Sequence, residues 1–141
     1  MFILYEIQAY YQQATFISGL GQAILKSPNF NVVTSTCLTF LYKMTSESIQ
    51  LYVNVTRSNA QSSRVLMITF GDQSNYPGWS TASVNISFAF KQILFVADKM
   101  GYSAAVDWAD IDNITLSNAQ CTSEGKPLYL HIIAFSYVLQ V

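Results

Sequence analysis

The chain has 141 residues, a length that suits one domain with a core of its own. Hydrophobic residues make up 51% of it and aromatic residues 14%, which excludes an intrinsically disordered protein. The formal net charge of -1 provides no long-range field to attract nucleic acid or an anionic membrane, so neither is an expected partner.

Apolar and polar side chains alternate with a period of two along most of the chain, which predicts β-strands. The predicted strands cover, in chain order, residues 2–9, 22–26, 37–44, 49–56, 65–70, 82–90, 93–97, 113–116 and 128–138. Clusters of Gly, Pro, Asn and Ser at residues 27–29, 57–63 and 71–78 are typical of turns between them. Many short strands joined by polar turns predict an all-β fold, an antiparallel two-sheet sandwich of jelly-roll-like type.

Three N-x-[ST] sequons mark asparagines that can carry N-linked glycans in a secreted protein, namely Asn54, Asn85 and Asn113. The alternation places Asn54 and Asn85 on the polar faces of their strands, where a glycan has room. Asn113 falls inside a predicted strand. The sequons favour a chain that enters the secretory pathway.

Both ends of the chain carry apolar runs. Residues 1–5 lack a basic segment and Glu6 interrupts them, so no export signal is predicted. Residues 128–138 are apolar apart from His131 and Ser136, yet they fall far short of the roughly 20 residues that cross a bilayer. This second run is predicted to form a strand that is buried on both faces.

No residue pattern points to catalysis. His131 is the sole histidine and lies in an apolar run, so it is interpreted as a structural residue rather than a general base. The chain has no Gly-x-Ser-x-Gly elbow, no glycine-rich phosphate loop and no His/Cys metal spacing. Asp107, Asp110 and Asp112 are weak calcium candidates, for which turn capping and backbone hydrogen bonding are favoured. The prediction is a protein that is not an enzyme and has no cofactor.

Aromatic side chains are the candidate binding residues. Trp79 and Trp108, with Tyr76 and Tyr102, could form a patch for a partner protein or a sugar, although aromatic residues in strands more often belong to a core. The polar segment 71–78 has the length and composition of a binding loop. The sequence does not establish whether this loop lies beside the tryptophans.

Cys37 and Cys121 are the only cysteines, and their number is compatible with a disulfide or with two free thiols. The ordered motifs around and between them resemble the MAM domain, from about residue 2 to Cys121. These motifs are Gly21-Gln22-Ala23-Ile24-Leu25-Lys26-Ser27-Pro28, the strand that opens at Cys37, Trp79 with Ala82-x-Val84, the Gln92 to Val96 strand, and Ile111-Asp112-Asn113-Ile114-x-Leu116.

The resemblance implies several structural features. Cys37 and Cys121 should pair as the disulfide that ties the first strand of the core to its last, and Trp79 and Asp112 should be structural motif residues. MAM domains usually begin with further strands and another cysteine pair, so residues 1–123 should form a MAM-like domain that lacks its first strands. Residues 124–141 should be an apolar tail or an additional strand.

The resemblance also implies a function. MAM domains occur in meprin-type metalloproteases, neuropilins and receptor tyrosine phosphatases, where they mediate adhesion and oligomerisation without catalysis. The expectation is an extracellular or cell-surface module whose partners are protein ectodomains, including other copies of itself, with membrane attachment only through other parts of a parent protein. The rival hypothesis is a carbohydrate-binding sandwich that stacks sugars on Trp79 or Tyr76.

Overall fold

The computed structural model describes residues 12–16, 21–29, 35–100, 107–117, 120–121 and 136–140. These residues form nine strands and one 3-10 turn, at Phe70–Asp72. The strands are β1 (Gln12–Phe16), β2 (Gly21–Lys26), β3 (Thr36–Met44), β4 (Ile49–Arg57), β5 (Ser62–Ile68), β6 (Ser80–Ile86), β7 (Phe90–Lys99), β8 (Asp107–Ser117) and β9 (Ser136–Gln140).

The strands form two antiparallel sheets that pack face to face. The four-stranded sheet has the order β1-β8-β3-β6, and the five-stranded sheet has the order β5-β4-β7-β2-β9. All neighbours in both sheets run antiparallel. The predicted all-β, two-sheet sandwich is therefore confirmed.

Side chains that point inward from both sheets form one core. Phe40 of the four-stranded sheet and Phe95 of the five-stranded sheet meet edge to face, with ring centroids 4.9 Å apart. Burial of these inward faces is the main force that holds the sheets together. Two central strands supply much of the core through Leu38, Phe40, Tyr42 and Met44 of β3 and Ile49, Leu51, Val53 and Val55 of β4.

Several predicted strand limits were wrong. β1 was not predicted, because its sequence, which begins with two adjacent glutamines, lacks a clear alternation. β8 begins at Asp107, well before the predicted start, because charged residues interrupt the apolar pattern there. Phe90 opens β7 instead of ending the preceding strand, which stops at Ile86. β5 ends at Ile68, since Phe70 belongs to the 3-10 turn.

Some predictions fall outside the described residues. They concern the strand at 2–9, His131, Tyr102 and most of the strand at 128–138. β9 overlaps the end of that last predicted strand and pairs with β2 at one edge of the five-stranded sheet.

A bulge interrupts the pairing of β8 with β3. Leu41 pairs with Asp112 and Thr39 pairs with Thr115, so two residues of β8 lie opposite one residue of β3. Asn113, in the bulge, has a φ of 52°, a left-handed conformation that asparagine adopts more readily than most residues. Its N–H donates to Asp112 Oδ1 at 2.7 Å, so the Asp112 side chain supports the bulge.

Cys37 and Cys121 form a disulfide, as the resemblance implied. The bond joins the start of β3 to the chain beyond β8, across a sequence separation of 84 residues. Cys37 also lies opposite Asn85 of β6. The Cys121 N–H donates to Asn85 Oδ1 at 2.6 Å, so this end of the four-stranded sheet is tied across β3 and β6.

Replacing both Cys37 and Cys121 with alanine should lower the free energy of unfolding by about 4–5 kcal/mol, because the unfolded variant regains the conformational entropy that the disulfide removes by closing a long loop. Urea unfolding of the wild-type protein and of the double variant measures this difference. A loss below about 1 kcal/mol would show that the cross-link does little to restrict the unfolded chain.

Candidate interaction surface

One end of the outer face of the four-stranded sheet carries Lys43, Trp79, Trp108 and Asp110, which we call the aromatic surface. Lys43 faces outward because its two neighbours in β3 are both buried in the core. Asp110 lies opposite it in β8. Strand alternation and pairing thus bring together residues from three segments of the chain.

Lys43 connects the two sides of the aromatic surface. Its Nζ lies 4.5 Å from the centroid of the Trp79 ring, within the range of a cation–π contact. The same Nζ lies 3.9 Å from Asp110 Oδ2. The other carboxylate oxygen, Asp110 Oδ1, is buried and has no hydrogen-bond partner in the part of the chain that the structure describes. The lysine is therefore held between a ring and a buried carboxylate.

Trp108 is the most open tryptophan of the surface, with 38% of its area exposed. The backbone N–H of Trp108 donates to Thr45 Oγ1 at 2.8 Å, and the Trp108 carbonyl oxygen accepts the backbone N–H of Thr45 at 3.1 Å. Because Ala109 is buried in the core, Trp108 and Asp110 share the outer face. A large ring on a fixed strand can contact a partner without losing much conformational freedom.

The loop between β5 and β6 is attached to the same end of the sheet. The Met44 N–H donates to Gln73 Oε1 at 2.8 Å, and Gln73 Nε2 donates to the Met44 carbonyl at 3.1 Å. The Asn75 N–H donates to Ser80 Oγ at 3.1 Å, and Asn75 Nδ2 donates to the Trp79 carbonyl at 3.2 Å. The structure therefore fixes this loop against the end of β3 and against the backbone of Trp79.

Tyr76 extends from the loop and is 47% exposed. Its ring meets Phe70 with centroids 4.9 Å apart. A Cβ at Gly78 would lie 3.0 Å from the Asn75 carbonyl oxygen and 2.9 Å from the Asn75 side-chain nitrogen, so any larger residue there would have to displace the turn. Tyr76 is thus a second exposed aromatic residue in the region, while the fourth candidate, Tyr102, lies outside the described residues.

The start of the loop is fixed by a buried tyrosine and a capped turn. The Thr69 N–H donates to Asp72 Oδ2 at 2.7 Å. The Tyr42 hydroxyl donates to the Asp72 carbonyl at 3.2 Å. Burial and the Asp72 carboxylate both raise the pKa of Tyr42 above its ordinary value, so this hydroxyl remains a donor well into alkaline solution.

The three aspartates of the acidic cluster do not converge. Asp107 Oδ2 lies 3.2 Å from Lys99 Nζ, whereas Asp110 faces Lys43. Asp112 accepts the N–H of the next residue, the backbone role favoured from the sequence. Among the described residues, no group of three or more His, Cys, Asp and Glu side chains could hold a metal ion.

The Lys99–Asp107 pair is the charged contact that sequence reasoning missed. The Lys99 side chain is 0% exposed and that of Asp107 is 5% exposed, and the pair links β7 of one sheet to β8 of the other. The sequence did contain a signal for it: Lys99 follows the same strand alternation as Phe95 and Ala97, whose side chains point into the core. A buried pair of this kind is costly to break from one side only.

Lys99→Met alone and Asp107→Leu alone should each lower the free energy of unfolding by about 3–5 kcal/mol, because each leaves one buried charge without its partner. The double variant should be far closer to the wild type, since no isolated charge remains. Urea unfolding of the four proteins gives a double-mutant cycle. Two losses that simply add would contradict a coupled ion pair.

The sequon asparagines occupy other parts of the surface. Asn85 is exposed at the disulfide end of β6, about 20 Å along an extended strand from Trp79. Asn113 is exposed at the bulge in β8. Asn54 lies on the outer face of the five-stranded sheet, because Val53 and Val55 on either side point into the core. Glycans at Asn54 and Asn85 would leave the aromatic surface open.

An all-β sandwich closed by a long-range disulfide is an architecture typical of extracellular binding modules. The chain belongs to the MAM domain family (meprin/A5/mu), whose family model matches residues 8–122, and the resemblance seen in the sequence is thereby confirmed. MAM domains are extracellular, adhesion-type modules without catalytic activity. A comparison with curated proteins finds no match. In the described ranges, no helix is long and apolar enough to cross a membrane.

Proposed function

We propose that this protein is a non-catalytic, extracellular module of the MAM type, which binds other protein ectodomains through the aromatic surface. The observation that carries the proposal is the exposed Trp108 beside the Lys43–Trp79 contact. Tryptophan and tyrosine are over-represented among the residues that dominate the energy of protein interfaces. Their energy comes from burying a large ring against a partner.

The aromatic surface is also preorganised for binding. Trp108 is hydrogen-bonded through its backbone, and the neighbouring loop is bonded to Met44 and Trp79. Little conformational entropy is lost when such a surface becomes ordered against a partner. Lys43, whose side chain is 29% exposed beside the buried Asp110, adds a positive charge that can fix the orientation of the partner.

Action outside the cell is supported by three observations: the family, the disulfide and the sequons. Disulfides persist in the oxidising compartments of the secretory pathway and beyond it. Glycans at Asn54 and Asn85 would shield the outer face of the five-stranded sheet and the disulfide end of the other sheet. Such glycans would leave the aromatic surface open to partners.

A carbohydrate-binding role is the second candidate, favoured by the exposure of Trp108 and Tyr76. Lys43 lies over the Trp79 ring, so Trp108 is the better platform for a sugar. Saturable binding on a glycan array that is lost in Trp108→Ala would favour this role. Binding to deglycosylated ectodomains would instead favour protein contacts.

Trp108→Ala should weaken binding to protein ectodomains by about 30-fold, the effect of losing a central contact of about 2 kcal/mol. The measurement uses beads coated with protein secreted from eukaryotic cells and tested against an array of ectodomains and against themselves. Lys43→Ala should have a smaller effect in the same direction, because it removes a contact to Trp79 but no large ring.

Met67→Ala is the matched control, since Met67 is 50% exposed and lies on β5 of the other sheet. This variant should bind like the wild type, and all variants should retain the wild-type circular dichroism spectrum. Equal binding by Trp108→Ala and the wild type would overturn the role of the aromatic surface. Absence of binding to every ectodomain would overturn the proposed function itself.

A further inference from the structure

β6 is an edge strand that lacks the usual protection against pairing with another strand. It pairs with β3 alone, so its other side carries backbone N–H and C=O groups with no strand beside them among the described residues. Thr81, Ser83 and Asn85 are all exposed along it. An unpaired strand edge is a ready template for strand addition.

Proteins usually protect such edges with charged residues, prolines or bulges. The sequence of β6, Ser-Thr-Ala-Ser-Val-Asn-Ile, contains no charged residue and no proline. Its pairing with β3 also runs from Ser80 to Ile86 without a shift in register. β5 precedes β6 in the chain and is an edge strand of the five-stranded sheet. It has both an exposed arginine, Arg64, and a register shift in its pairing with β4. Only one of these two edges is therefore protected.

We propose that β6 pairs antiparallel with β6 of a second copy of this chain, about a two-fold axis at Ser83. This inference rests on the proposed function in that it names a second copy as one of the ectodomain partners. The two four-stranded sheets would then form one continuous sheet of eight strands. A two-fold interface requires a self-complementary strand, and β6 meets this requirement.

The pairing about Ser83 places compatible side chains opposite each other. Ser83 lies opposite its own copy, and Thr81 lies opposite Asn85 of the second copy, so the opposed residues on the outer face are polar and uncharged. Ala82 faces Val84 of the second copy on the inner face, where both are small and apolar. No charges oppose each other, and polar and apolar pairs of these kinds stabilise neighbouring strands.

The disulfide directs the Asn85 side chain away from the free edge. Asn85 Oδ1 accepts the N–H of Cys121, and Cys121 is bonded to Cys37 of β3. The amide oxygen of Asn85 therefore points over the sheet toward β3 rather than past the edge of β6.

A single strand pair buries little surface, so we expect a weak dimer with a dissociation constant on the order of micromolar. Sedimentation velocity of the secreted protein over a range of concentrations tests for it. Ser83→Lys and Ser83→Asp each place like charges opposite each other at the axis and should each raise the dissociation constant at least tenfold. An equimolar mixture of the two variants should associate again, because opposite charges then face each other.

Ser58→Lys is the matched control, because it adds the same charge at an exposed turn between β4 and β5. This variant should dimerise like the wild type. A wild-type protein that stays monomeric, or a Ser83→Lys variant that dimerises unchanged, would overturn the pairing at β6. Trp108-dependent binding to other ectodomains would survive either result, so failure of this inference is distinct from failure of the proposed function.

Discussion

The alternation of β3 between the core and the outer face is the constraint on which the rest of the structure depends. β3 lies between β8 and β6 in the four-stranded sheet, and alternate residues of it fill the core around Phe40. The residues between them must face outward, which places Cys37 at one end of the strand and Lys43 at the other. A shift of one residue would exchange the two faces, so burial of the core fixes this register.

The outer face of β3 therefore joins two regions of different chemistry. At one end, the Thr39 hydroxyl lies 3.5 Å from Cys37 Sγ and 3.3 Å from the Ser83 hydroxyl, in a polar row beside the disulfide. At the other end, Lys43 lies between an aromatic ring and a carboxylate. The polar end is suited to hydration and glycans, and the aromatic end is suited to contact with a partner.

The two proposed interfaces belong to the same sheet, and this has a geometric consequence. Pairing of β6 with a second copy would place both aromatic surfaces on one continuous outer face, related by the two-fold axis at Ser83. Each copy could then hold a separate ectodomain on that face. Two weak contacts made together give an avidity well above either affinity, which suits adhesion between surfaces that carry many copies.

The buried ion pair shows what strand patterns can and cannot predict: they indicate the direction of a side chain, but not its partner on the other sheet. The alternation in β7 indicated that Lys99 points inward, but the partner that makes this position tolerable, Asp107, lies on the other sheet. Strand patterns describe one strand at a time, whereas the stability of a buried charge depends on what lies across the core. Pairing between sheets was therefore invisible in the sequence.

The sequence by itself determined the all-β class, the central strands, the family and the cysteines that pair, because period-two alternation and ordered motifs are local signals. It failed at β1 and at the start of β8, where polar residues mask the alternation. Only the tertiary structure decided that Lys43 meets Trp79 and that β6 lies at an edge. Strand order and cross-strand contacts arise from long-range packing, which residue patterns within one strand do not encode.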